Sequence, residues 1–169
     1  MQLSQNASPE QARRQSLALL NQHLAAAVIL HDRMQHSPRN LWGANFIMMD
    51  GMCAQVSSLM ETCSTLITAR MADLDGTAGW PVGQDLAGQF DGVNVRPAQR
   101  GLRRLPMANP IVMAQAEMEP LDAFGQSVLD AATVAEAYGD TTTAEVMAQV
   151  WRCVERQLWS VEISTVIEN

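Results

Sequence analysis

Residues 46–67, FIMMDGMCAQVSSLMETCSTLI, carry the clearest structural pattern in the sequence. Apolar side chains recur there every three or four positions, which is the spacing of one face of an α-helix. The predicted face consists of Phe46, Met49, Cys53, Val56, Met60, Cys63 and Ile67. We expect this helix to begin near residues 43–45 and to end near residues 73–76.

A helix is also predicted on the N-terminal side of this segment. Ser8, Pro9 and Glu10 supply an N-cap, a proline at the first helical position and an acid in the first turn. The helix should run to about His36, because the residue before Pro38 avoids the helical region. Its predicted buried face consists of Leu17, Leu20, Leu24, Ala27, Val28, His31 and Met34.

Two more helices are predicted in the C-terminal half. The third begins at Asn109-Pro110 and should reach Tyr138, with a kink or a delayed start caused by the internal Pro120. The fourth should run from about Thr142 to Val166. Its apolar face consists of Val146, Val150, Val154, Leu158 and Val161.

The connection between the second and third helices is unusually long and irregular. Residues 75–110 are rich in Gly and Pro, with room for a short helix around residues 82–89. We therefore predict an all-α, ferritin-like four-helix bundle with a long crossover between helices 2 and 3. The 169 residues fit a single domain, 1–169, in which residues 1–8 form a short N-terminal tail.

Composition excludes several classes of chemistry. All 11 basic residues are arginine, so a P-loop lysine and a Schiff-base lysine are both absent. The net charge of −7 disfavours nucleic acid as a partner, although one basic cluster exists. The cluster consists of Arg96, Arg100, Arg103 and Arg104. Charged residues make up only 17%, which favours an assembly that covers much of the surface.

The cysteines and the longest apolar run indicate the cellular compartment in which the protein is expected. Cys53, Cys63 and Cys153 are odd in number and form no C-x-x-C motif, which fits a reducing compartment. The longest apolar run, residues 24–30, is far shorter than the ~20 residues that span a bilayer. We expect a cytoplasmic protein with no membrane association.

Motifs spread over most of the chain resemble the Dps family of mini-ferritins. They are Leu20-Asn21-Gln22, Asn40, Gly43-Ala44-Asn45-Phe46-Ile47, Met52, Arg70, Leu74, Gly76, Asp140, Thr143-Ala144-Glu145, Leu158-Trp159 and Glu162. The resemblance implies a hollow dodecameric shell that oxidises ferrous iron at sites between subunits and stores the product. It also implies, for many members, DNA binding through lysine-rich tails.

The iron-ligand positions of that family are substituted here. Its ligands are a histidine in an H-W-N motif and, on the second helix, the pattern H-x3-D-x10-D-x3-E, whose four positions share one helical face. The corresponding residues in this chain are Pro38, Asp50, Ala54, Thr65 and Ala69. One carboxylate without an imidazole is a poor iron site, so the ferroxidase centre is expected to be absent. We therefore do not expect an enzyme, and no cofactor is implied with certainty.

A relocated metal site is the alternative. His31, Asp32 and His36 lie close together on the first helix, and Asp50 and Glu61 lie on the second. The competing interpretation is that the histidines are capped or lie at an interface, and that the carboxylates are solvated or paired. Asp50 and Glu61 are roughly 16 Å apart along the helix, too far to share one metal within a chain.

Other charged and aromatic residues have two interpretations each. Arg39 either pairs with Asp50 in place of a metal or is exposed. Asp140 and Glu145 either line a pore or stabilise the start of the last helix. Trp151 and Trp159 lie at helical spacing, and we expect them to pack in the core or at an interface.

The sequence thus predicts a Dps-like shell protein, a homo-oligomer that is dodecameric by family resemblance. Its role would be that of a structural cage or a non-catalytic storage subunit, alone or co-assembled with an active homologue. The alternative is an iron-binding and iron-oxidising mini-ferritin with a rearranged site. A DNA-binding stress-protection protein is a lesser alternative.

Overall fold

The computed structural model describes residues 9–36, 44–75 and 110–167, and these residues form four α-helices. The helices are α1 (Pro9–His36), α2 (Ala44–Asp75), α3 (Pro110–Ala137) and α4 (Thr141–Ile167). No strand occurs in these ranges, so the all-α prediction and the helix limits are confirmed. The N-terminal tail, the short helix at 82–89, Pro38, Arg39 and the arginine cluster lie outside the described residues.

Contacts between side chains and backbone fix the direction of α2 relative to α1. The Arg13 guanidinium donates a hydrogen bond to the carbonyl of Leu74 (2.7 Å). Farther along α1, the His31 ring meets Ser57 of α2. The start of α1 therefore lies beside the end of α2, and the two helices form an antiparallel hairpin.

The same reasoning places α4 antiparallel to α2, because Arg70 bonds to Asp140 and Gln157 bonds to Gln55. A tight turn makes α3 and α4 a second antiparallel hairpin. As a result, α2 and α3 run in the same direction, and the end of α2 and the start of α3 lie at opposite ends of the bundle. Weaker packing joins α1 to α3.

The core lies along the predicted helix faces. Every described member of the α2 face is buried, and the described members of the other faces are buried or half-buried. The largest fully buried side chains include Phe124, Leu20, Leu30, Met34, Met49, Met60, Ile67 and Leu121. Trp159 is 61% exposed and therefore not part of the core of the chain, and its place at an interface stays a prediction.

Pro120 does not delay the start of α3. The helix begins at Pro110 and continues through Pro120, so the delayed start is wrong and the kink stays a prediction. A proline removes one backbone hydrogen bond from a helix interior. Burial of Leu121 and Phe124 immediately after it stabilises the helix in compensation.

The turn between α3 and α4 is a Schellman motif. Gly139 has φ +81°, in the left-handed region. The N–H of Asp140 donates to the carbonyl of Ala135 (3.0 Å), and the N–H of Gly139 donates to the carbonyl of Glu136 (2.9 Å). These bonds satisfy the last carbonyls of α3 and turn the chain directly into α4.

Replacing Gly139 tests this turn. Gly139→Ala should lower the free energy of unfolding by about 1 kcal/mol, because a Cβ disfavours the left-handed conformation. No atom lies within 4 Å of the added Cβ, so the loss is conformational and not a clash. Urea unfolding measures it, with Gly139→Asn as the control that tolerates this conformation better. Equal loss in both variants would contradict the assignment.

Candidate functional site

Four of the five positions that correspond to iron ligands in the family that the sequence resembles lie on the exposed face of α2. Asp50, Ala54, Thr65 and Ala69 are all exposed, as is Glu61 on the same helix. The Thr65 hydroxyl donates to the backbone carbonyl of Glu61 (2.9 Å), and the two alanines have no ligand atom. The residues at these positions therefore do not fit the iron site that the resemblance would imply.

A groove between α1 and α2, here called the α1–α2 groove, opens at this face with a cavity volume of about 340 Å³. Met34 and Gln35 of α1 line it. From α2, the lining residues are Asp50, Cys53, Ala54, Ser57, Ser58 and Glu61. Asp50 and Glu61 thus face the same groove, although they lie about three helical turns apart.

The half-buried His31 contacts two residues that line this groove, Gln35 and Ser57. Its Nδ1 lies 3.1 Å from the carbonyl oxygen of Ser57 and 2.9 Å from the Ser57 hydroxyl. A carbonyl can only accept, so the Nδ1–H donates and the Nε2 of neutral His31 accepts from the Gln35 amide (3.0 Å). The Glu61 carboxylate lies 3.9 Å from the same Nε2.

His36 belongs to a different environment. Its Nδ1 contacts Asp32 of the same helix, 3.3 Å from the carboxylate and 2.8 Å from the backbone carbonyl, and both side chains are exposed. Over residues 9–36, 44–75 and 110–167, no three His, Cys, Asp or Glu side chains are grouped closely enough to hold a metal ion. The structure therefore does not bring His31, Asp32 and His36 together as a ligand set.

Asp140 forms the most constrained polar cluster in the described residues. Its carboxylate accepts from the Thr143 N–H (3.0 Å) and the Thr143 hydroxyl (2.6 Å), which makes it the N-cap of α4. Arg70 of α2 donates to Asp140 (2.9 Å) and to the Thr143 hydroxyl (2.9 Å). Asp140 is 12% exposed and Arg70 14%, so the ion pair is largely buried.

The pKa of Asp140 reports this environment. Burial raises the pKa, but the hydroxyls of Ser16 and Thr143, the Thr143 N–H and the charge of Arg70 outweigh burial and lower it below its usual 3.8. The Ser16 hydroxyl contributes to the lower pKa of Asp140, although it forms no hydrogen bond of regular geometry. Asp140 therefore stabilises the start of α4, one of its two predicted roles. Pore lining stays a prediction for Asp140 and for the exposed Glu145.

The cysteines are free thiols in the structure. Burial, aided by the nearby Cys153, raises the pKa of Cys63 to about 12. The thiolate is the nucleophilic form of cysteine, and a buried thiol with so high a pKa does not form it at neutral pH. Cys63 is therefore a core residue and not a reactive group.

Besides the Arg70–Asp140 pair, three more polar contacts are absent from the predictions made on the sequence. Gln35 contacts His31 at helical spacing, so the spacing of four could have revealed it. Ser57 is 26 positions from His31, and no local pattern points to it. The buried His23 contacts the carbonyl and hydroxyl of Ser127 on α3 (both 3.1 Å), a contact for which the sequence holds no sign.

Comparison with models of protein families and with curated proteins finds no match to this chain. Among the described residues, no helix combines the length and the apolar character needed to cross a membrane.

Proposed function

We propose that this chain is a shell-forming subunit of the Dps-like type that lacks the family's ferroxidase centre. It acts as a structural cage or as a non-catalytic storage subunit, alone or beside an active homologue. The proposal rests on the resemblance in sequence together with the arrangement of the four helices and the character of the exposed α2 face.

The helix directions carry the proposal. Two antiparallel hairpins, α1–α2 and α3–α4, pack with α2 and α3 pointing the same way. An up-down bundle with short loops would place α2 and α3 antiparallel. Parallel α2 and α3 are what a ferritin-like bundle requires, so these helix directions support the proposal.

The exposed face of α2 supports an interface between copies. It carries small or short polar side chains at Ala54, Ser58, Thr65 and Ala69, and Ile47 near its start is 73% exposed. Small residues permit close approach of another helix, and an exposed isoleucine gains from burial. A second copy of the chain would cover both.

Assembly is the direct test. Light scattering after size exclusion should give a mass of about 220 kDa, twelve chains of 18.5 kDa, and electron microscopy should show hollow particles. Ile47→Glu should reduce the mass, because it buries a charge at the proposed interface, whereas Gln149→Glu at an exposed site of α4 should not. A monomer or dimer for the unmodified chain would overturn the proposal.

The chemical part of the proposal has its own test. Aerobic addition of ferrous iron to the sized assembly should give ferric absorbance no faster than a protein-free control. Faster oxidation with retained iron would contradict the loss of the centre and would direct attention to the α1–α2 groove.

A rearranged metal site at that groove is the second candidate, favoured by the geometry of His31. A metal-binding histidine usually donates its other ring N–H to a carbonyl, as Nδ1 of His31 does to Ser57. Nε2 lies 3.9 Å from Glu61, so a metal bound there would displace the Gln35 amide and would need further ligands from outside this pair. Calorimetry with Zn²⁺ tests it: His31→Ala should abolish binding, and His36→Ala, on an exposed turn of the same helix, should not.

DNA binding remains the least favoured function, because the net charge is −7. A gel shift at low salt with the assembled protein would reveal it. Cytoplasmic location likewise stays a prediction.

A further inference from the structure

A second cavity, here called the α3–α4 cavity, lies on the other hairpin and has a volume of about 270 Å³. Asp122, Gln126 and Leu129 of α3 line one wall, and Trp151, Glu155 and Trp159 of α4 line the other. On each helix these residues follow spacings of three, four or eight, so each set faces the same side of its helix.

The antiparallel packing orders the two walls. Gly125 lies against Val154, where an added Cβ would stand 3.0 Å from a valine methyl carbon. On one side of this point, Leu129 of α3 lies beside Trp151 of α4. On the other side, Asp122 of α3 lies towards Trp159 of α4. One end of the cavity is therefore apolar, and the other combines an indole ring with a carboxylate. Glu155 lies between the two ends.

The residues that line this cavity carry negative charge and no positive charge. Neither Asp122 nor Glu155 forms an ion pair within residues 9–36, 44–75 and 110–167. No arginine or histidine is among the lining residues, so the wall carries two negative charges beside two indole rings. Tryptophan faces attract cations, and carboxylates hold them in place.

We propose that the α3–α4 cavity binds a small organic cation with an apolar body. Asp122 and Glu155 hold the charged group beside the ring of Trp159, and Trp151 and Leu129 contact the apolar body. The volume is just below the usual range of small-molecule sites, which begins at about 300 Å³, so the ligand is compact. An amidinium or ammonium on one ring or a short alkyl chain has the right size and charge.

Calorimetry on the full-length purified protein tests the proposal with benzamidinium chloride as the probe. Benzamide, the neutral molecule of nearly the same shape, is the control ligand. Benzamidinium should bind at least about 10-fold more tightly than benzamide, because only the cation gains from the carboxylates and the ring faces. Raising the salt concentration should weaken binding of the cation and leave benzamide unaffected.

Variants locate the site. Asp122→Asn and Glu155→Gln keep the shape of the side chain and should each weaken benzamidinium about 3-fold or more, as expected for partly exposed charges. Trp159→Leu should also weaken it, and because Trp159 is exposed the fold should tolerate the change. Asp130→Asn, an exposed acid on α3 that does not line the cavity, should bind like the unmodified protein.

Three results would overturn the proposal. The first is no binding of benzamidinium at concentrations up to about 10 mM. The second is equal binding of benzamide, which would make the cavity merely apolar. The third is unchanged binding by the Asp122→Asn/Glu155→Gln double variant. Loss of assembly mass in Trp159→Glu together with no benzamidinium binding would show that another copy of the chain covers this cavity instead.

Discussion

Asp140→Ala should lower the free energy of unfolding by about 3 kcal/mol. The change leaves the guanidinium of Arg70, which is only 14% exposed, without its carboxylate, and an unpaired charge with so little access to water is costly. It also removes the N-cap bond to Thr143, which by itself contributes about 1 kcal/mol. Urea unfolding followed by far-UV circular dichroism at pH 7 measures the sum.

The same carboxylate makes the stability depend on pH. Its pKa is lower in the folded chain than in the unfolded chain. On acidification, Asp140 therefore takes up a proton in the unfolded chain before it does so in the folded chain. Its contribution to the free energy of unfolding is fully present above the usual pKa near 3.8. It is lost as the pH falls through the lower folded value. The difference in stability between the unmodified protein and Asp140→Ala should therefore stay constant from pH 7 to about pH 5 and shrink as the pH falls below about 3.8.

Glu145→Ala is the matched control for this prediction. Glu145 is an exposed acid in the next turn of the same helix, so its removal should change the stability by less than about 0.5 kcal/mol. Adding Arg70→Met to Asp140→Ala should recover part of the loss, because the unpaired charge disappears. If Asp140→Ala and Glu145→Ala unfold alike, the Arg70–Asp140 pair does not stabilise the bundle.

Phe124→Ala is the second change with a large expected effect, a loss of about 4 kcal/mol. Phe124 is 2% exposed and heads the fully buried side chains by volume. The neighbouring Gly125 already brings α3 close to Val154, which leaves these two helices little room to move together and fill the void. The cost therefore includes an unfilled cavity as well as lost burial.

Thermal or urea unfolding measures this loss, and Trp159→Ala is the control. Tryptophan is larger than phenylalanine, but Trp159 is 61% exposed, so its truncation should cost less than about 1 kcal/mol. A loss in Trp159→Ala comparable with that in Phe124→Ala would show that Trp159 is buried in the assembled protein.

Much of the fold could be predicted because it depends on local patterns. The spacing of Met49, Cys53, Val56 and Met60 defines a helical face, and all four side chains are buried. Capping residues and prolines defined the helix ends to within about two positions. The same periodicity favoured the core or an interface for Trp159, and its 61% exposure excludes only the core. Spacing shows which face a residue shares and not what covers that face.

The site was less predictable because its contacts join distant positions. Arg70 and Asp140 are 70 positions apart, and His31 and Ser57 are 26 apart. No periodicity or capping rule links such residues. The substitution of the ligand positions could be inferred, but only through the resemblance, since Ala54 and Ala69 by themselves are ordinary helical residues.

The helix directions have a consequence for the folding pathway. The pairs α1–α2 and α3–α4 each join helices that are neighbours in sequence, so they can form early at low cost in chain entropy. The contacts of α2 with α4 and of α1 with α3 join residues that are far apart in the sequence, and these contacts bring the two pairs together. The transition state should therefore include this docking, which slows folding relative to a bundle of the same size with short loops. The His23–Ser127 contact between α1 and α3 belongs to that step.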